Sequence, residues 1–332
     1  MKDKYVFIVS RDTDDSTNMV IKWLHHYGLK VIRMGDSNWI ETLEIIKKDN
    51  QILVSFSTNN GLNFEMDQII AFWYRKSVLP LFKKLKLKLP DVYFNLTYKY
   101  EEYLEKDELA AIEKFLIFEF ETKNYIGNIN AKNGNKLISF RVAEEVGFKT
   151  PDFLISTCLN SLKNYALCDE NIVKPIQDGF RSFNDEVLFK NYYSNELSSN
   201  FFENSSSTIF PSCIQKYISK KIEIRTFYLK GETYSMAIFS QSNEETSVDF
   251  RNYSETKPNR NVPFLLPELI SEKVDKFMKK MSLNTGSIDL ILTPDNEYYF
   301  LEVNPAGQYG MVESACFYGL DKIIANGLLN NN

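Results

Sequence analysis

Residues 286–305, GSIDLILTPDNEYYFLEVNP, constrain the fold more than any other stretch. Two apolar runs flank the short turn TPDNE, whose Pro, Asp and Asn are turn formers. Such a pair closes as an antiparallel hairpin. Side chains at i and i+2 of a strand share a face. Leu301 and Val303 are therefore expected in a core, with Glu302 and Asn304 side by side on the other face. Asp289 on the first strand can face Glu302 and Asn304. Pro305 cannot continue a ladder, and Gly307 and Gly310 loosen the chain just beyond. Asp, Glu and Asn without Cys or His form an all-oxygen set. That set suits Mg²⁺, which keeps waters and shares its coordination with nucleotide phosphates. A metal site is thus expected at Asp289, Glu302 and Asn304.

The N-terminal third alternates strand and helix signals. YVFIVS reads as a buried parallel strand. TNMVIKWLHHYG follows as a helix ending at Gly28. KVIRMG, ILVSFS and IIAFWYRKS read as second, third and fourth strands. This order predicts an open α/β sheet with ligands at the carboxyl ends of its strands. No GxGxxG follows the first strand, so the dinucleotide fingerprint is missing. A long charged helical stretch, YKYEEYLEKDELAAIEKFLIFEFET, comes next. A strand-rich C-terminal part begins at SCIQKYI and includes EIRTFYL, a turn at Lys230-Gly231 and TYSMAIFSQ. The Asn- and Ser-rich stretch from Asn195 to Thr208 reads as a surface connection.

Phosphates need cations as well as a metal. Lys174 sits in the otherwise apolar strand NIVKPI, where a lysine must snorkel or meet an anion. Lys132 or Lys136, in NAKNGNK, can supply a second positive charge. The loop QDGFRSF, Gln177 to Phe183, could close over phosphates through backbone N–H groups. The backbone of Gln215, Lys216, Tyr217 and Ile218, at the end of a strand, can offer N–H and C=O groups to an adenine edge. Glu223 can accept from ribose hydroxyls, and Arg225 can reach a phosphate or an acyl-phosphate. Taken singly, the alternative for Glu223 and Arg225 is a cross-strand ion pair.

Read in order, Lys132 or Lys136, Lys174, QKYI, EIR, Asp289 and EVNP resemble the ATP-grasp ligases, over roughly Asn124 to the C-terminus. FWYRKS, Ser240-Gln241 and Asp249–Arg251 are similar to the ATP-grasp enzymes that make graspetides, the microviridin-type and grasp-with-spasm peptide maturases. That family's first-domain motif usually reads Arg-Arg, where this chain has Arg75-Lys76. The resemblance implies an α/β (α+β) ATP-grasp fold. Residues 1–122 would form a pre-ATP-grasp domain, 123–212 a central domain and 213–332 a C-terminal ATP-grasp domain. It also implies ATP and Mg²⁺ as cofactors and a ribosomal precursor peptide, leader plus acidic and hydroxyl-bearing core, as partner. The reaction would join Asp or Glu side chains to Ser or Thr hydroxyls, or to Lys amines. Arg75, Arg225 and Arg251 are the residues expected to hold acidic peptide side chains.

Composition removes several other classes. Hydrophobic residues make up 44% of the 332, enough for packed lobes, and the net charge of −5 argues against general nucleic-acid or membrane binding. The cysteines, Cys158, Cys168, Cys213 and Cys316, form no CxxC pair and read as reduced structural thiols. Only His25 and His26 are histidines, so a zinc site or a His-based triad lacks partners. YVFIVS is too short to span a membrane and runs into the charged turn RDTDDS. The expected location is cytoplasmic, and a homodimer is left open. Two other readings stand beside the macrocyclase. One is an ATP-grasp amino-acid or peptide ligase acting on a small-molecule or C-terminal carboxylate. The other is a non-catalytic nucleotide-binding scaffold.

Overall fold

The computed structural model describes residues 3–82, 100, 102–128, 134–167, 170–176, 181–182, 190–191, 195–196, 207–240 and 259–329. Two compact units divide the chain: Met1–Asn130 with Gly319–Asn332, and Ala131–Tyr318.

The first unit holds strands β1 (Tyr5–Ser10), β2 (Lys30–Met34), β3 (Ile40–Lys48), β4 (Gln51–Thr58), β5 (Asn63–Glu65), β6 (Ile69–Lys76) and β7 (Asn124–Ile126). Its helices include α1 (Asp15–His26) and α2 (Ala110–Glu121). Four strands form a parallel sheet in the order β2-β1-β6-β7. Every residue of β1 is buried, as an apolar run inside a parallel sheet requires. Helix α1 starts at Asp14, whose carboxylate accepts the Thr17 N–H at 3.4 Å. It gives way at Gly28, whose φ of +76° is the left-handed cap that favours glycine. The long helical stretch opens with π-helical turns at Leu104–Leu109 before α2. Phe120 of α2 stacks on Phe7 of β1 and Phe72 of β6, with centroids 4.6 and 4.9 Å apart, and so fixes the helix over the sheet.

The ILVSFS run does not join that sheet. It lies in β4, the centre of a separate antiparallel sheet ordered β3-β4-β5. Asp49 and Asn50 both have positive φ, +48° and +62°, and make the two-residue hairpin turn between β3 and β4. A two-residue link leaves no room for the crossover that a parallel neighbour needs.

The second unit holds α3 (Lys136–Glu145), β8 (Phe153–Cys158), α4 (Leu159–Ala166), β9 (Asn171–Lys174), β10 (Arg181–Ser182), β11 (Lys190–Asn191) and β12 (Asn195–Glu196). It continues with β13 (Thr208–Lys216), β14 (Ile222–Leu229), β15 (Glu232–Phe239), β16 (Arg260–Phe264), α5 (Glu268–Lys280), β17 (Thr285–Leu292), β18 (Tyr298–Asn304) and α6 (Gly310–Cys316). One antiparallel sheet runs β12-β9-β13-β8 and another runs β16-β15-β14-β17-β18. Asn195 and Glu196, read as surface connection, instead pair with Val173 and Ile172. Lys230 and Gly231, at φ +46° and +101°, make the β14–β15 turn.

Helix α5 buries Ile270, Val274, Phe277 and Met278, one apolar stripe at helical spacing. The stripe shares a core with Ile224, Tyr228, Ile288, Leu290 and Phe300, on one face of the five-stranded sheet. Strand alternation then sends Glu223, Arg225, Asp289, Glu302 and Asn304 to the opposite face. A bulge in β18 sharpens this pattern. Asp289 pairs with Glu302, but Leu290 pairs with Phe300, so Leu301 is the extra residue. Phe300 is fully buried and Val303 packs against the same core. The expectation that Leu301 and Val303 both enter the core holds for Val303. Phe300 takes the other place, because the bulge re-aims the strand.

Candidate active site

The hairpin β17–β18 sets Asp289 directly opposite Glu302, and Ser287 opposite Asn304. On the other side of β17, Arg225 of β14 is in register with Asp289 and its Nη1 lies 3.5 Å from Oδ2. On the far side of Glu302, Lys136 Nζ lies 3.2 Å from Oε2. Lys136 is placed there because Asn135 caps α3, its Oδ1 accepting the N–H groups of Leu137 and Ile138 at 2.9 and 3.2 Å. The result is a row, Lys136–Glu302–Asp289–Arg225, in which two adjacent carboxylates are flanked by two cations. Both ion pairs are mostly shielded from water, so they are screened little by salt. Arg225 Nε is buried with no hydrogen-bond partner among the described residues, so the guanidinium still has a donor for an anion.

Among the described residues, no three His, Cys, Asp or Glu side chains gather as a metal cage. Two facing carboxylates with an amide oxygen nearby are a partial oxygen set. Such a set fits Mg²⁺, which takes its remaining positions from water and phosphate. Asn304 is held in place by its own loop: its Oδ1 accepts the Ala306 N–H at 3.1 Å and its carbonyl accepts the Gly307 N–H at 3.2 Å. Gly307 has φ +61°, and a Cβ there would come within 2.9 Å of Thr285 Oγ1.

Lys174 is buried on β9, opposite Cys213 of β13. Burial pushes the Cys213 thiol up, while the charges of Lys136 and Lys174 both pull it down. Lys174 faces this thiol across the ladder, and the charge of Lys136, at the start of α3, is also felt there. The sequence offered no sign that Cys213 faces Lys174; the strand register reveals it.

Gln215 is buried near the end of β13. The N–H groups of Lys216 and Tyr217 are already donated to the carbonyls of Asp152 and Glu170, each at 2.8 Å. The cross-strand ion pair is present for Arg225, to Asp289 of β17, while the lysine on Glu223 comes from its own chain segment. Lys220 and Ser240 donate to Glu223, and Arg225 pairs with Asp289. Sequence reasoning did not assign Lys220 a role. Its only signal is a lysine pair just before EIR.

Arg75 belongs to the first unit. It is 4% exposed, with Nε 3.3 Å from Oδ2 of Asp14, the residue that caps α1. Lys132, Arg251, Gln241 and most of the QDGFRSF loop lie outside the described residues, as does Cys168. Of that loop, Arg181 and Ser182 pair with Asn191 and Lys190. Cys158, Cys213 and Cys316 are free thiols. No described helix is long and apolar enough to cross a membrane.

No protein family and no curated protein matches the sequence. Solved structures do match, and the chain has the fold of the ATP-grasp ligases, as the motif order implied. It is similar to a RiPP-associated ATP-grasp ligase of Chryseobacterium gregarium in complex with ADP and a leader and core peptide. That likeness has TM-score 0.79 and 21% identity, and covers 98% of this chain and 96% of that one. The macrocyclase MdnC of Microcystis aeruginosa MRC, bound with precursor peptide MdnA, matches at TM-score 0.74 and 21% identity over 98% and 100% of the chains. The ATP-grasp ligase PsnB, complexed with a phosphomimetic variant of a minimal precursor, Mg and ADP, matches at 0.69 and 14% over 99% of each.

Proposed function

We propose that the chain is an ATP-dependent, ADP-forming peptide macrocyclase acting on a ribosomal precursor peptide with a leader and an acid- and hydroxyl-bearing core. The observation that carries this reading is the row Lys136–Glu302–Asp289–Arg225, in which two facing carboxylates on the polar sheet face are flanked by Arg225 of β14 and by Lys136 of α3. Support also comes from the likeness to ligases in complex with ADP and with precursor peptides.

ATP with Mg²⁺ supplies the phosphoryl group that turns an Asp or Glu side chain of the peptide into an acyl-phosphate, which a Ser or Thr hydroxyl or a Lys amine then attacks. Asp289, Glu302 and Asn304 would hold the metal, and Lys136 and Lys174 the phosphates, with Lys132 assigned to the same anion. The strand end Gln215, Lys216, Tyr217 and Ile218 would hold adenine. With the N–H groups of Lys216 and Tyr217 used internally, Ile218 would be the donor for the base. Glu223 would accept from the ribose hydroxyls. Arg225 would steady the transferring phosphoryl group through a guanidinium fixed by Asp289. Arg75 and Arg251 are assigned to acidic side chains of the peptide. Residues 1–122 would serve as the pre-ATP-grasp part, with 123–212 and 213–332 as the two parts of the nucleotide site. No enzyme nucleophile is needed, since the peptide brings its own. The cytoplasm, where ribosomal peptides are made, is the proposed location.

The test is incubation of the protein with ATP, Mg²⁺ and a candidate precursor, read by mass spectrometry. Each ring closed removes one water, about 18 Da, because a side-chain nucleophile displaces phosphate from the acyl group. The same peptide with core Glu and Asp changed to Gln and Asn should lose no mass. Water loss in that control, or a gain in mass from an added amino acid, would favour a free amino-acid or peptide ligase instead.

A further inference from the structure

Glu223 sits in a buried cluster that stability does not explain. Lys220 is 5% exposed, Glu223 7% and Ser240 1%. Lys220 Nζ and Ser240 Oγ both donate to the same Glu223 oxygen, Oε1, the serine at 2.9 Å. The geometry follows from the strands. Glu223 lies opposite Ile238 in the β14–β15 ladder, and Ser240 is two residues further along on the same side. Lys220 comes from the extended connection just before β14. Taking a lysine and a glutamate out of water commonly costs more than their attraction returns, and apolar residues of the same volume are often at least as stable. The pair therefore calls for another reason to be there.

We propose that Lys220 and Ser240 are positioning residues that lock the Glu223 carboxylate for the vicinal hydroxyls of a nucleotide ribose. The inference rests on the reading of Glu223 as the ribose contact. Two donors on Oε1 fix the plane of the carboxylate, and the lysine supplies its counter-charge. An ionised carboxylate accepts hydrogen bonds and donates none, which matches a diol with two O–H donors. On β14 the order agrees with a nucleotide lying along it: Glu223 would meet the ribose, and Arg225, two residues further along the strand and paired with Asp289, would meet the phosphates.

The experiment compares the calorimetric affinities of ATP and 2′,3′-dideoxyATP, both with Mg²⁺, for wild type, Lys220→Met, Lys220→Arg and Ser240→Ala. Wild type should prefer ATP by about tenfold or more, the scale of a hydrogen bond to a charged group. Lys220→Met should bring the ratio close to one while the affinity for the dideoxy nucleotide moves by less than about twofold. Ser240→Ala should reduce the ratio partway, and Lys220→Arg should restore part of it. A folded Lys220→Met that keeps the full preference overturns the proposal, as does an equal loss for both nucleotides. If Lys220→Met does not fold, an unchanged ratio in Ser240→Ala is decisive against it. A wild type that binds both nucleotides equally refutes the ribose role of Glu223, and one that binds neither refutes the nucleotide site itself.

Discussion

Replacing Glu302 by Gln tests the metal assignment without emptying the site. The side chain keeps its size and loses its charge. Its structural partner is Lys136 at 3.2 Å, with the two side chains 13% and 27% exposed. The amide oxygen introduced by Glu302→Gln can still accept from Lys136, so the loss should be about 1 kcal/mol, the scale of one hydrogen bond. The variant should therefore unfold within about 2–4 °C of wild type. The nucleotide effects are larger and opposite in sign with and without metal. With Mg²⁺ present, a carboxylate contact to the cation is lost, and affinity for a non-hydrolysable ATP analogue should fall by about ten- to hundredfold, taking roughly 1.5–3 kcal/mol for a charge-assisted contact. Without Mg²⁺, Lys136 no longer has Glu302 to hold it, so affinity should stay constant or rise, by about fivefold at most for a pair of about 1 kcal/mol. Titration calorimetry in Mg²⁺ and in a chelator, with a thermal melt of each protein, reads all three quantities. An equal loss with and without Mg²⁺ would refute the metal role. A melt lowered by more than about 8 °C would show that Glu302 is mainly structural.

Lys174→Ala should weaken the same analogue by about tenfold or more in both conditions, since its charge is buried beside the proposed phosphates; unchanged affinity by calorimetry would remove it from the site. Gly307→Ala should destabilise by about 1–2 kcal/mol, because the left-handed φ penalises a Cβ and Thr285 Oγ1 stands in its way, and a melt at wild-type temperature would contradict this. Glu121 has one buried carboxylate oxygen without a hydrogen-bond partner among the described residues, and burial holds its carboxyl above the ordinary 4.5. Above its unfolded value the native state binds more protons, so stability falls as pH rises from about 4.5 through the raised native value. Glu121→Gln should abolish that fall and raise the melt by about 2 °C at pH 7, and a lower melt would show an ionised carboxylate is needed there.

Much of the site was legible because its carriers are local. Two apolar runs and a Pro-Asp-Asn turn suffice to place Asp289 against Glu302, and the structure pairs them directly. The α/β sheet was legible for the same reason, since YVFIVS and IIAFWYRKS are long apolar runs with no alternation. The contacts that tie the site together are not local. Nothing near Lys136 in the sequence indicates that it meets Glu302, and nothing in KKIEIR indicates that Lys220 turns back onto Glu223. The bulge at Leu301 was equally hidden, because period-2 reasoning assumes that no residue is inserted. The misread ILVSFS run failed on turn chemistry: Asp49-Asn50 was the signal, and it specifies a hairpin before any crossover can form.

The sheet that carries the site separates folding from chemistry by its two faces. Ile224, Tyr228, Ile288, Leu290 and Phe300 meet α5 on one side, where each buried side chain contributes about 1.5–3 kcal/mol. The other side carries the charged row, whose two cations and two carboxylates cancel while no ligand is bound. A nucleotide would break that balance. On the proposed assignment, phosphates would compete for Lys136 and Arg225 and a metal for Glu302 and Asp289, so both would have to arrive together for every charge to keep a partner. Either one alone would leave charges of like sign without their counterparts, in a site where screening by salt is weak. On that assignment the row would favour the metal–nucleotide complex over either component. That preference is the thermodynamic coupling the Glu302→Gln titration measures, and it should be smaller still when Asp289→Asn is added.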